Sequence, residues 1–241
     1  MLTQLDDMTL VRYGTRYRTR YLLEQARYTL KLAGGEKPPL DLPGDYLSRI
    51  ERVVAQVEAS RNDREVAALE SKLATSRQDQ FVADGKVWRR TMATRAQRAA
   101  RLGATIPKEL LVIGRADTVP KLLESMSTML RFAKEVAPVL SSAGDIKPLI
   151  EEGQHIYDAL AEADAEQENK RFNELPVKAR ELFRSKGELY IALKVVNDAG
   201  KERYMRDPQM AARYNLSILH RRGSRPGEPE DGAEVPPPEA S

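Results

Sequence analysis

Residues 43–102 read PGDYLSRIERVVAQVEASRNDREVAALESKLATSRQDQFVADGKVWRRTMATRAQRAARL, and whether this stretch is one helix or two decides the fold. Pro43 suits a first helical turn, where its missing N–H costs nothing. Tyr46, Leu47, Ile50, Val53, Val54 and Val57 follow at helical spacing. Neither Gly nor Pro occurs between Asp45 and Asp84. The polar run Arg61-Asn62-Asp63-Arg64 interrupts the apolar stripe, so the chain either bends back there or carries a solvated stretch of helix. Nothing at that point terminates a helix, and the reading adopted is one unbroken helix from Pro43 to Leu102. At 1.5 Å per residue it would be roughly 90 Å long.

The same stretch holds half of a repeated motif. Phe81, Gly85 and Trp88 recur in type and spacing as Phe183, Gly187 and Tyr190. Offsets of four and seven place all three residues on one helix face. Gly inside a helix costs ~1 kcal/mol relative to Ala. Two such costs at matched positions point to a packing motif in which the missing Cβ lets a neighbour approach closely. The match also raises a duplication, with related halves 1–104 and 117–222.

Working outward, Asp7 to Ala33 reads as a first helix stopped by Gly34-Gly35. Gly103 to Ala116 is a connector whose apolar run Leu110 to Ile113 is a short strand or a buried loop; four residues cannot separate the two. Asp117 or Thr118 caps the next helix, with Pro120 in its first turn. That helix stops or kinks near Pro138. Another runs from Lys147 towards Asn173, and Pro176 starts or kinks the one after it. Asp207-Pro208 opens a last short helix through His220. The fold expected is all-α: a single domain over residues 1–222, an elongated helical bundle of about six helices. Its arms form two helical hairpins with coiled-coil character. Residues 223–241, rich in Pro, Gly and Glu, read as a disordered acidic tail.

Composition narrows the function. The absence of Cys among 241 residues excludes disulfides, thiolate metal sites and a Cys nucleophile. No basic n-region with an apolar run opens the chain. The longest uncharged stretch, Val136 to Gly144, has nine residues, far below the ~20 needed to span a bilayer. A cytoplasmic protein without membrane insertion is expected. The net charge of +3 hides a segregation, because residues 224–241 carry five acidic groups and one basic. Arg outnumbers Lys 26 to 13, which favours carboxylate or phosphate recognition or reflects nothing more than a G- and C-rich genome.

Two surfaces are candidates for contact with nucleic acid or an acidic partner. In the first helix Tyr13, Tyr17, Tyr21 and Tyr28 interleave with Arg12, Arg16, Arg20 and Arg27. Such a face can stack bases and neutralise phosphates, or it can simply pack Tyr rings beneath Arg stems. The second is Lys86 to Arg101, with Lys86, Arg89, Arg90, Arg95, Arg98 and Arg101 and no carboxylate. It can follow a phosphate backbone. Glu151 to Glu168, with seven acidic residues and no basic one, can equally neutralise it within the molecule or across an oligomer.

Catalytic signatures are missing. Glu152-x-x-His155 is of the kind used by di-iron bundles, but those need two such motifs and two further Glu residues. The chain has only two histidines, His155 and His220. No metal, no cofactor and no catalytic residue is assigned, and a metal-binding bundle is a remote alternative. The expectation is a non-enzymatic helical protein working through protein–protein contacts or self-association, as a subunit of a larger assembly. Nucleic-acid binding through the Arg/Tyr faces is the alternative.

Overall fold

Helix α3 (Tyr46–Arg101) is unbroken. Through its polar stretch Asn62 and Asp63 face solvent. Arg61 holds Glu65 one turn on at 2.8 Å, so a solvated helix accommodates the charges that could have marked a bend. Gly103, at φ 91°, ends the run, a left-handed position that favours glycine after a helix.

The structure, a computed structural model, describes residues 5–221. The expected tail at 223–241 lies outside them. Around α3 the order is α1 (Asp7–Gly14), α2 (Thr19–Gly34), α4 (Lys108–Leu111), α5 (Val119–Glu135), α6 (Ala137–Leu140), α7 (Lys147–Asn169), α8 (Leu175–Arg203) and α9 (Pro208–Arg213). A π-helical turn, Lys170–Glu174, joins α7 to α8. Among the described residues there is no strand, and none of their helices is long and apolar enough to cross a membrane. The all-α expectation therefore holds. The run Leu110–Ile113 is instead the end of one helical turn and the start of an extended segment.

The described residues divide into two compact units. One takes residues 5–65 and 177–221; the other is Val66–Pro176.

In the first unit the core joins Leu22 and Ala26 of α2, Ile50 and Val57 of α3, and Leu189, Leu193 and Val196 of α8. Each large apolar side chain buried this way contributes ~1.5–3 kcal/mol. The first helix is not continuous to Ala33, as expected, but breaks between Gly14 and Thr19. The break frees α1 to lie on α8 on its own line. A Cβ on Gly14 would fall on the Phe183 main chain, and one on Gly187 would fall on the Leu10 carbonyl. Leu10 opposes Gly187 and Gly14 opposes Phe183, so the two helices run antiparallel with backbones in contact. Asp6 caps α1, accepting from the Thr9 amide at 2.9 Å and the Thr9 hydroxyl at 2.8 Å. The C-terminal segment is held by buried Gln25. Its amide donates to the Asn215 carbonyl at 2.9 Å and accepts from the Ile218 N–H at 3.2 Å.

The second unit packs α5 and α7 on the remaining part of α3, burying Trp88, Met92, Leu122, Met126, Leu130 and Leu160. Its α3 and α7 are antiparallel, as contacts climbing one helix and descending the other show. Lys170 meets Glu70 at 3.1 Å, Arg77 meets Glu166 at 3.0 Å and Gln78 meets Asp164 at 2.5 Å. Further along, the Trp88 indole N–H donates to the Leu149 carbonyl at 2.7 Å. The indole packs directly against Gly153, where any Cβ would intersect the ring.

Candidate functional site

The Tyr/Arg stripe of the first unit divides, its first three tyrosines half-buried and its arginines exposed. Tyr13 and Tyr17 are half-buried. Their rings meet Tyr190 at centroid distances of 5.4 Å and 4.7 Å. His220 touches Tyr17 edge-on at 6.0 Å. Arg16 covers Tyr13 at 5.2 Å. Burial, then the Tyr190 hydroxyl, pushes the Tyr17 phenol up to about 12. Tyr21 is half-buried. Tyr28 donates to the Arg213 carbonyl at 2.9 Å, and Arg27 pairs with Glu58 at 3.1 Å. Arg12 and Arg20 face solvent. The rings of Tyr13 and Tyr17 are occupied by packing, while Tyr28 is 39% exposed.

A second cluster in this unit fixes the α2–α3 loop. The hydroxyls of Tyr204 and Tyr214 both donate to the Glu36 carboxylate, Tyr214 at 2.5 Å. These bonds, the Tyr204 one foremost, hold Glu36 below the usual carboxylate range. Burial, then the carboxylate, raises Tyr214. Arg203 donates to the carbonyls of Pro38 and Pro39, the latter at 2.9 Å.

The basic run on α3 divides by face. Arg89 is only 3% exposed. Its Nη2 donates to the Gly114 carbonyl at 2.9 Å, its Nε has no partner, and burial lowers its pKa. Arg95 is half-buried and donates to the Asp145 carbonyl at 3.1 Å. Lys86, Arg90, Arg98 and Arg101 face solvent. The segment after α4 lies along this helix, tied by Gln97 to the Leu111 carbonyl at 3.2 Å and by Arg89 to Gly114. It leaves Val112 (70%) and Ile113 (41%) exposed. Leu102, Lys108 and Arg115 are also exposed.

Between Gly85 and Lys121 stand nine Lys/Arg and two Asp/Glu. Among the described residues Lys86, Arg90, Arg98, Arg101, Lys108 and Arg115 form no ion pair. The intramolecular neutralisation by Glu151–Glu168 is not what forms. Glu166 pairs with Arg77 and Lys170, and Glu151 approaches Lys147 at 3.9 Å. The antiparallel register sets Asp164 and Glu166 opposite Gln78 and Arg77, while Glu151 and Glu152, just before the Gly153 that packs on Trp88, form no ion pair with the basic run among the described residues. Sequence reading finds this run but misses the aliphatic side chains beside it. Leu110 is fully buried while its neighbours Val112 and Ile113 are not. The available signal was the basic flank, Lys108 and Arg115, around an apolar run too short for a strand.

The packing motif divides as well. Gly85 lies 2.9 Å, from its would-be Cβ, to the Met126 sulfur. Phe81 and Phe183 are both half-buried, and Trp88 is fully buried where Tyr190 is not. His155 and Glu152 face solvent on α7. Among the described residues no group of three or more His, Cys, Asp or Glu side chains could hold a metal ion. Comparison with protein-family models, with curated proteins and with solved structures returns no match.

Proposed function

We propose that this is a non-enzymatic, cytoplasmic protein acting through protein–protein contacts as a subunit of a larger assembly. The basic face of the second unit is the contact surface, and its partner presents carboxylates around an apolar centre. One observation carries this reading: among the described residues Lys86, Arg90, Arg98, Arg101, Lys108 and Arg115 are exposed and form no ion pair, and Val112, Ile113 and Leu102 of the same stretch of chain are exposed with them. A phosphate backbone asks for cations and gains nothing from aliphatic side chains. Single strands also ask for aromatic platforms, and the sole aromatic of residues 85–121, Trp88, is buried. Charge around an apolar centre is instead the anatomy of a protein interface.

Fluorescence anisotropy tests this with three labelled probes: an acidic Glu/Leu-rich helical peptide, single-stranded DNA and duplex DNA. The peptide is expected to bind at physiological salt. Binding should be lost both in an Arg90/Arg98/Arg101→Ala variant and in a Val112→Ser/Ile113→Ser variant. DNA binding that ignores the aliphatic changes and collapses with salt would transfer the face to nucleic acid. No binding of any probe at low salt would sink both readings.

A further inference from the structure

In the second unit one face of α3 is left uncovered, and its pattern is that of a coiled-coil seam. Val66, Leu69, Leu73, Ser76, Gln80 and Ala83 follow one another in alternating steps of three and four, continued by Val87. All are exposed, with Val66 at 54%, Leu69 at 61%, Leu73 at 69% and Val87 at 59%. No charged residue enters this row, although 31% of the chain is charged. The face turned to α5 and α7 is a different one, carrying Ala74, Gln78, Gly85 and Trp88. Charges flank the uncovered row on both sides. Lys72, Asp79 and Lys86 precede its Leu73, Gln80 and Val87, while Glu70, Arg77 and Asp84 follow its Leu69, Ser76 and Ala83.

We propose that a second copy of this chain docks on this row, antiparallel, forming a two-stranded coiled coil between α3 helices. The flanking charges choose the occupant and its direction. A parallel copy in register would set Lys72 against Arg77 and Asp79 against Asp84, like charge on like at each step. An antiparallel copy with Leu73 level with Ser76 of the second copy sets Lys72 against Asp79 and Glu70 against Arg77. Two-fold symmetry repeats each of these attractive pairs. Val66 then shares a layer with Ala83, and Leu69 with Gln80, so a large side chain always meets a small or flexible one. Sliding by one heptad brings Lys72 onto Lys72 and Glu70 onto Glu70, so the register is specified as well as the direction. Lys72 and Asp79 form no ion pair among the described residues, and Glu70 and Arg77 keep 48% and 62% of their side chains exposed beside their partners on α7. Lys86 and Val87, at one end of the row, adjoin the basic face, whereas Val66, Leu69, Leu73 and the Lys72/Asp79 pair lie outside it.

Sedimentation velocity of the full chain over a concentration series tests the proposal, with circular dichroism to establish that each variant is folded. The wild type is expected to show a monomer–dimer equilibrium. Leu69→Glu/Leu73→Glu should be monomeric with unchanged helicity, since both side chains lie on the surface. Lys72→Asp should weaken the dimer roughly tenfold, because two attractive pairs become repulsive. Lys72→Asp/Asp79→Lys should return it to within about threefold of wild type. In a parallel dimer Lys72→Asp would relieve the clash with Arg77 and tighten association. Tightening, a dimer indifferent to the leucine changes, or a wild type monomeric at every concentration would each overturn the proposal. The Val112→Ser/Ile113→Ser variant should dimerise like wild type, which separates this inference from the basic face.

Discussion

The two copies of the Phe-x3-Gly-x2-aromatic pattern occupy different units and meet different neighbours. Gly187 faces main chain: a methyl group there would land on the carbonyl of Leu10, which α1 cannot withdraw without breaking its contact with α8. Gly85 faces side chains, the thioether of Met126 at 2.9 Å and a Leu122 methyl at 3.4 Å. The third residue differs too. Trp88 is sealed, its N–H bonded to Leu149 and its ring against Gly153. Tyr190 is half-buried and stacks on Tyr17 and Tyr13. Equal spacing thus guarantees a flat groove on a helix, and the neighbour decides whether that groove is indispensable. Shared spacing is not accompanied by a shared environment.

The contrast is easiest to attack at its largest element. Trp88→Ala should destabilise the second unit by ~3–5 kcal/mol, the usual cost of emptying so large a buried site. Urea denaturation followed by circular dichroism would show it, and a loss below ~1 kcal/mol would mean that the indole is not the keystone of that unit.

Next come the paired glycine changes. Gly187→Ala should cost about 3 kcal/mol, because overpacking against main chain is not relieved by a rotamer change. Gly85→Ala should stay within about 1 kcal/mol of wild type, since the gain in helix propensity offsets the turning aside of a flexible Met side chain. Equal costs at the two sites would erase the distinction drawn between them.

The smallest effect is a difference in acid sensitivity. Glu36 is depressed in the folded state by the Tyr204 and Tyr214 hydroxyls. Its contribution is therefore present above the ordinary carboxylate range and is lost as pH falls through the lowered folded value. The first unit should loosen in acid before the second, and Glu36→Gln should flatten that response. Hydrogen exchange around Gln25 and Ile218 reports on the first unit, and fluorescence of the chain's one tryptophan reports on the second. Simultaneous loosening, unchanged in the variant, would remove Glu36 from the account.

Much of the architecture was legible because its signals are local. The absence of Gly and Pro after Asp45 carries α3 through its charged centre, and Gly34-Gly35 marks the stop of α2. Asp207 caps α9, accepting from the amides of Gln209 and Met210 at 3.1 Å. The break after Gly14 was not legible. An isolated glycine is tolerated inside a helical pattern, and only the main chain of α8 beside it shows what it is for. The candidate surface was half legible: Lys86 to Arg101 reads as basic from composition, yet Arg89 and Arg95 turn inward while Val112 and Ile113 turn outward. Which side of a helix is outside depends on what packs against it.

By itself, then, the chain determined its helical class and most of its helix starts and stops. Side-chain periodicity and the backbone chemistry of Gly, Pro and Asp act within a few residues. Tertiary structure alone decided how these helices are grouped. Gln25 is tied to Ile218 and Tyr28 to Arg213, across separations of 193 and 185 residues. No local preference encodes such pairings, which arise only when distant apolar faces are buried against one another.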